Sequence, residues 1–171
     1  HGIQAWVALP TADEETDPGF FHYGTGALPA FREAGVRGRL VAGTAFGLES
    51  AVRTHSPLFY IHWELEPGAR VSLPADHAER AAYVVSGAVE AGGQALAAGQ
   101  MAVFQPGGDA TLRATEPTIL IAIGGEPVGE RFIEWNFVSS SKARIEQAKA
   151  DWRAGRMKLP DADDQEFIPL P

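Results

Sequence analysis

From Val36 onward the chain alternates short β-branched and aromatic runs with Gly, Pro or polar punctuation. That texture is expected of a β-sandwich or barrel rather than of alternating strands and helices. The runs predicted as strands are 39–46, 57–65, 69–73, 81–90, 94–96, 101–105, 110–114, 118–124 and 132–137. They are separated by the turn-forming groups Pro67-Gly68, Gly92-Gly93, Pro106-Gly107-Gly108 and Gly124-Gly125. Within one run Ile61, Trp63 and Leu65 alternate with His62, Glu64 and Glu66, the period-2 pattern of a half-buried strand with a polar outer face. Upstream, 3–9 reads as an apolar strand and 10–19 as a Pro-containing acidic loop. The stretch around Phe20, Phe21, Tyr23 and Phe31 reads as irregular wrapping. A single segment has helical periodicity. Ser139, Ser140 and Ser141 offer an N-cap, Ile145, Ala148 and Trp152 recur on one stripe, and Gly155 stands where a helix would stop. The narrow stripe predicts a helix lying against the barrel with its basic residues in water.

Composition narrows the class further. At 171 residues, 45% of them hydrophobic and 21% charged, one globular domain with one core is the expectation. A net charge of −8 argues against a nucleic-acid surface. The acidic residues gather in two runs, Asp13, Glu14, Glu15 and Asp17, then Asp161, Asp163, Asp164 and Glu166, with a basic segment (Lys142, Arg144, Lys149, Arg153, Arg156 and Lys158) between them. Each run is read as a solvated face. The absence of cysteine removes disulfides, thiolate metal sites and cysteine nucleophiles. No apolar run approaches a membrane span, so no membrane partner is expected and a cytoplasmic home is the default. The chain opens at His1 without an initiator methionine and runs at once into apolar sequence, which suggests a fragment whose upstream part is missing.

The glycine and proline turns can be laid against the two signatures of cupin barrels. In the first, two glycines bracket a His-x-His and a glutamate; Gly68 and Gly87 fit that spacing, and the ligand positions then read Pro74, Asp76 and Arg80. Proline has no side-chain donor atom and arginine is a permanent cation, so neither coordinates a metal. In the second, Pro106 and Gly108 fit, but the histidine position is Thr111, the asparagine position is Thr115, and Gly99 lies one residue too far from Pro106. A cupin metal site needs about three imidazoles and a carboxylate, and a lone Asp76 does not supply them. His77 and Glu79 beside the vacated site could be displaced ligands but read better as rim-loop residues. His22 and His55 stand isolated. No nucleophile-base arrangement and no phosphate-cradling loop is present. No catalytic, cofactor-binding or metal-ligating residue is therefore assigned.

Several stretches resemble the C-terminal half of pirin-like proteins. They are the opening His1-Gly2-Ile3-Gln4-Ala5-Trp6-Val7-Ala8-Leu9-Pro10, then Val41-Ala42-Gly43 with Phe46-Gly47, and Thr54-His55-Ser56-Pro57. Leu65-Glu66-Pro67-Gly68-Ala69, Tyr83-Val84-Val85-Ser86-Gly87, Gly124-Gly125-Glu126-Pro127 and Ile145-Glu146-Gln147-Ala148 follow in the same order. The resemblance covers nearly the whole chain. It implies a bicupin whose N-terminal barrel, absent here, holds iron or another divalent metal, while the C-terminal barrel ordinarily holds none. It also implies a dioxygenase-like oxidoreductase of the quercetin 2,3-dioxygenase kind acting on a flavonoid-like small molecule, or a redox-responsive regulatory protein.

The expected fold is all-β, a cupin-type antiparallel barrel (a jelly roll, or double-stranded β-helix) with one C-terminal α-helix. Residues 1–35 form an N-terminal strand and wrapping segment, 36–138 the barrel, 139–156 the helix and 157–171 an acidic, Pro-rich tail. The resemblance makes the N-terminal cupin of the same protein the expected partner and places Trp6, Phe20, Phe21, Phe167 and Ile168 at an interdomain contact. Action as a stand-alone small-molecule-binding barrel stays open.

Overall fold

In the computed structural model, which describes residues 2–159 and 167–171, the alternation of the middle of the chain becomes two antiparallel sheets. The strands are β1 (Ala30–Glu33), β2 (Val36–Ala45), β3 (Leu48–Glu49), β4 (Leu58–Leu65), β5 (Arg70–Ser72), β6 (Glu79–Ser86), β7 (Ala88–Ala91), β8 (Gln94–Ala97), β9 (Met101–Phe104), β10 (Thr111–Ala114) and β11 (Thr118–Gly125). The larger sheet has the order β1-β2-β4-β11-β6-β9, with β3 on β2; the smaller has the order β5-β10-β7-β8. The chain divides into two compact units, one made of Pro18–Pro127 and the other of His1–Asp17 with Val128–Pro171. All eleven of these strands belong to the first.

Period-2 patterning places the core of that unit. Along β4 every second residue is buried, with Phe59, Ile61, Trp63 and Leu65 facing in. Leu40 from β2, Ala82 and Val84 from β6, and Leu120 and Ala122 from β11 extend the same inner face. Val71, Val89, Leu112 and Ala114 oppose them from the smaller sheet. Removing such side chains from water is the main stabilising term for the barrel.

The predicted strand 81–90 is two strands, because the chain changes sheets at Gly87. The backbone there has φ of 81°, and a Cβ would lie 2.4 Å from the Pro117 carbonyl oxygen. Only glycine fits both constraints. Thr118, 3% exposed, secures the corner: its Oγ1 accepts from the Ala88 N–H at 3.1 Å and lies 3.0 Å from the Ala88 carbonyl oxygen.

The second unit contains β12 (Phe132–Glu134), β13 (Phe137–Ser139) and α1 (Lys142–Arg153). The run 132–137, expected as one strand, is a hairpin that reverses at Trp135-Asn136. Trp135 takes a positive φ of 52°, and its ring is held edge-on by Phe137 at 5.3 Å and Trp152 at 5.4 Å. The helix follows the predicted caps: the Arg144 N–H donates to the Ser141 hydroxyl at 3.3 Å, and Gly155 has the left-handed φ of 64°. Its packing partners include β12 and β13. One of its basic residues is not in open water, since Lys149, with 14% side-chain exposure, bridges Glu134 and Glu146. Residues 3–9, expected as a strand, have no strand structure, and Ile3, Trp6 and Val7 are exposed there.

The first acidic run is not simply a solvated face. Glu14 accepts hydrogen bonds from Ser139 Oγ (3.0 Å), Ser140 N–H (2.9 Å) and Ser140 Oγ (3.1 Å), and it pairs with Arg131 Nε at 2.9 Å. Burial pushes its pKa up, but these hydrogen bonds and the Arg131 charge outweigh it and the net shift is downward. Glu15 is fixed to Arg144 at 2.6 Å. Asp161, Asp163, Asp164 and Glu166 lie outside the described residues.

Candidate functional site

The antiparallel registers define two ends of the barrel. Phe59 on β4, Gly124 on β11 and Arg80 on β6 stand side by side in one layer, and Phe104 on β9 pairs with Arg80. Val36, Leu65, Thr118 and Ser86 mark the opposite end. The cupin signatures place their ligands at the Arg80 end.

The structure separates the four ligand positions. Pro74 and Arg80 are buried, Asp76 is exposed, and Thr111 is partly buried on the face of β10 opposite the core. The phases explain this. Ala110 and Leu112 are the inward residues around Thr111, and in the loop between β5 and β6 His77 is buried instead of Asp76. In extended chain a shift of one residue exchanges the two faces. The Thr111 hydroxyl is engaged on the outer side by Asp109 Oδ1 at 2.7 Å and lies 2.9 Å from Ser72 Oγ. Thr115 is exposed and bonds the Ala88 carbonyl.

Two polar side chains do face inward at this end. Arg80, 4% exposed, follows the same alternation as Ala82 and Val84. Its Nη2 donates to the carbonyls of Gly108 at 2.7 Å and Gln105 at 3.3 Å, while Nε is buried without a partner. His77, 8% exposed, lies over Phe59 with ring centroids 5.3 Å apart; its Nδ1 stands 3.7 Å from Glu126 Oε1, beyond hydrogen-bond length. Gly124 makes room for this packing, since a Cβ there would lie 2.4 Å from Phe59 Cε1. His77 is thus not the rim residue expected from the polar stretch around it, whereas Glu79 is exposed as expected.

A metal ion does not fit this arrangement. Of the inward polar groups at this end only His77 is a ligand type, and the Arg80 guanidinium at the same end would repel a cation. Among the described residues no group of three or more His, Asp or Glu side chains gathers around a common point. The other described histidines are scattered: His22 is exposed, and His55 and His62 are partly buried, with His62 on the outer face of β4. Glu64 on that face is ion-paired with Arg37, and Glu66 is exposed. At the far end a cleft of about 630 Å³ is lined by Arg32, Arg37, Glu33, Glu64, Ser86 and Thr118 among others. Its charges are mixed and it brings together no nucleophile and base. The inward orientation of Arg80 was legible in its phase with Ala82 and Val84. Its carbonyl partners were not, because they lie 25 and 28 residues away.

Taken together, two facing antiparallel sheets, the Gly68 and Gly87 frame and the Pro106-Gly108 turn define a cupin barrel. The comparisons give the family. Residues 60–158, more than half the chain, match the pirin C-terminal cupin domain, and the chain belongs to the pirin family. It is 61% identical over 171 residues to a pirin-like protein of Caulobacter vibrioides, covering 99% of this chain and 59% of that protein. It is 29% identical over 161 residues to human pirin, covering 90% of this chain and 56% of that one. The crystal structure of a quercetin 2,3-dioxygenase from Acinetobacter baumannii superimposes with a TM-score of 0.82 at 26% identity, over 88% of this chain and 55% of that one. The chain thus spans between half and three-fifths of the length of these relatives. No helix among the described residues is long and apolar enough to cross a membrane.

Proposed function

We propose that this chain is the metal-free C-terminal cupin of a pirin-like bicupin, in which it braces and partly shapes a neighbouring N-terminal barrel that carries the chemistry. The observation that carries this reading is the pair Pro74 and Arg80, buried at ligand positions and unable to coordinate. The greater length of the relatives supports it, because it leaves room for a second barrel. So do Trp6, Phe20, Phe21, Phe167 and Ile168, each more than half exposed, as residues covered by a second barrel would be.

The activity proposed for the whole protein is metal-dependent, iron being the expected metal, and of the quercetin 2,3-dioxygenase kind: oxidative opening of a flavonol with dioxygen. The name of the Acinetobacter baumannii relative supports that substrate class. The metal would organise substrate and dioxygen in the other barrel, and no residue of this chain is assigned a step. The test is oxygen consumption with quercetin by the full-length protein reconstituted with iron. Turnover proportional to bound iron is expected. A protein that binds iron stoichiometrically and turns over no flavonol overturns the enzymatic reading in favour of a metal-responsive binding protein.

A further inference from the structure

Arg80 stands where the first cupin signature places a glutamate ligand, and the carbonyls it bonds belong to Gln105 and Gly108, which flank the Pro106-Gly107 turn of the second. In a metal-bearing cupin the cation joins these two motifs, because each contributes ligands to it. Here a guanidinium joins them. We propose that Arg80 is a built-in substitute for the missing ion, a covalently attached cation that ties β6 to the turn before β10 and lets this barrel hold its shape without metal. The inference rests on the reading that this barrel carries no metal.

The physical argument begins with cost. A guanidinium with 4% exposure has lost most of its water, and among the described residues no carboxylate lies within ion-pair distance of it. A buried charge without a counter-ion persists only where fixed dipoles replace its hydration. Two carbonyl oxygens, at 2.7 and 3.3 Å from one nitrogen, provide those dipoles. The benefit is mutual. Arg80 is the donor found for the Gly108 oxygen in the otherwise exposed turn, whereas the Gln105 oxygen also accepts the Gly108 N–H at 3.0 Å. Arginine suits the task because it stays charged and is less strongly hydrated than an ammonium, so that burying it costs less. Phe59 and His77 pack against each other at the same end.

The clamp makes a local prediction that general destabilisation does not. In the full chain, Arg80→Gln should release the turn, so that amide hydrogen exchange at Gly108 and Thr111 accelerates about tenfold or more relative to Leu120 in the centre of β11. Arg80→Lys keeps the charge but carries it on a shorter, more strongly hydrated head, and should give an intermediate acceleration at the same amides. It also serves if the glutamine variant fails to fold. Arg113→Gln, on the outer face, should leave the turn unchanged. Uniform acceleration across the barrel, or none, in the Arg80 variants overturns the clamp. A separate titration with cobalt(II) tests the reading beneath it: paramagnetic broadening of the Arg80 and Ala82 amides would overturn the metal-free barrel, whatever the exchange rates show. Their persistence at saturating cobalt supports it.

Discussion

Replacing Glu14 by alanine removes the anchor that ties the acidic segment to the residues just before α1. Three hydrogen bonds and the ion pair to Arg131 disappear together, and the two side chains retain only 13% and 8% exposure. Hydrogen bonds to a charged group contribute roughly 1.5–3 kcal/mol each, and breaking a buried pair by removing one partner costs about 3–5 kcal/mol. The simple sum overstates the loss. The Ser140 hydroxyl can find water again, and Arg131 keeps its bonds to the Leu9 carbonyl at 2.9 Å and the Thr11 hydroxyl at 3.2 Å. The expected cost is therefore about 3 kcal/mol, a fall of roughly 6–12 °C in the midpoint for a domain of this size. Near-ultraviolet circular dichroism follows the transition well, because Trp6, Trp135 and Trp152 all lie in the affected unit. The same contact sets a pH dependence. The folded-state pKa of Glu14 is lowered, so its stabilisation is present above the unfolded carboxylate value of about 4.3 and is lost as the pH falls through the folded value. The wild-type midpoint should thus drop more steeply on the acid side than that of Glu14→Ala. A loss below about 0.5 kcal/mol, or acid-side slopes that coincide, would refute the anchoring role.

Other outcomes follow from the barrel. Gly87→Ala should cost more than about 3 kcal/mol in denaturant unfolding, since its Cβ meets the Pro117 carbonyl oxygen at 2.4 Å with φ at 81°. Thr118→Val keeps the volume but strands the Ala88 N–H, and should cost about 1–3 kcal/mol by the same measurement. Leu120→Ala, at a position with no exposure, should cost about 3 kcal/mol with little change in the denaturant slope.

The barrel strands were legible because alternation and turn chemistry agree there. Residues 57–65 alternate cleanly, and their bounds differ from those of β4 by one residue. The misses have physical causes. Residues 3–9 have strand-like composition, but a strand needs a partner edge and the structure pairs them with none. The Trp135 reversal carries no glycine or proline; aromatic packing by Phe137 and Trp152 takes the place of turn chemistry. At the candidate site the chemistry of the ligand positions could be read directly, since no arrangement of Pro74 and Arg80 coordinates a cation. Their geometry could not. Whether Asp76 or His77, and Thr111 or Leu112, points inward depends on phase, which strand pairing and loop length decide.

The central claim is that this barrel is closed by a guanidinium and leaves metal chemistry to another part of the protein. Crystals of the iron-loaded full-length protein, measured on both sides of the iron absorption edge, test it directly. The account predicts an anomalous peak outside this chain's barrel and none at the end of the barrel marked by Phe59, His77 and Arg80. A peak at that end would contradict it.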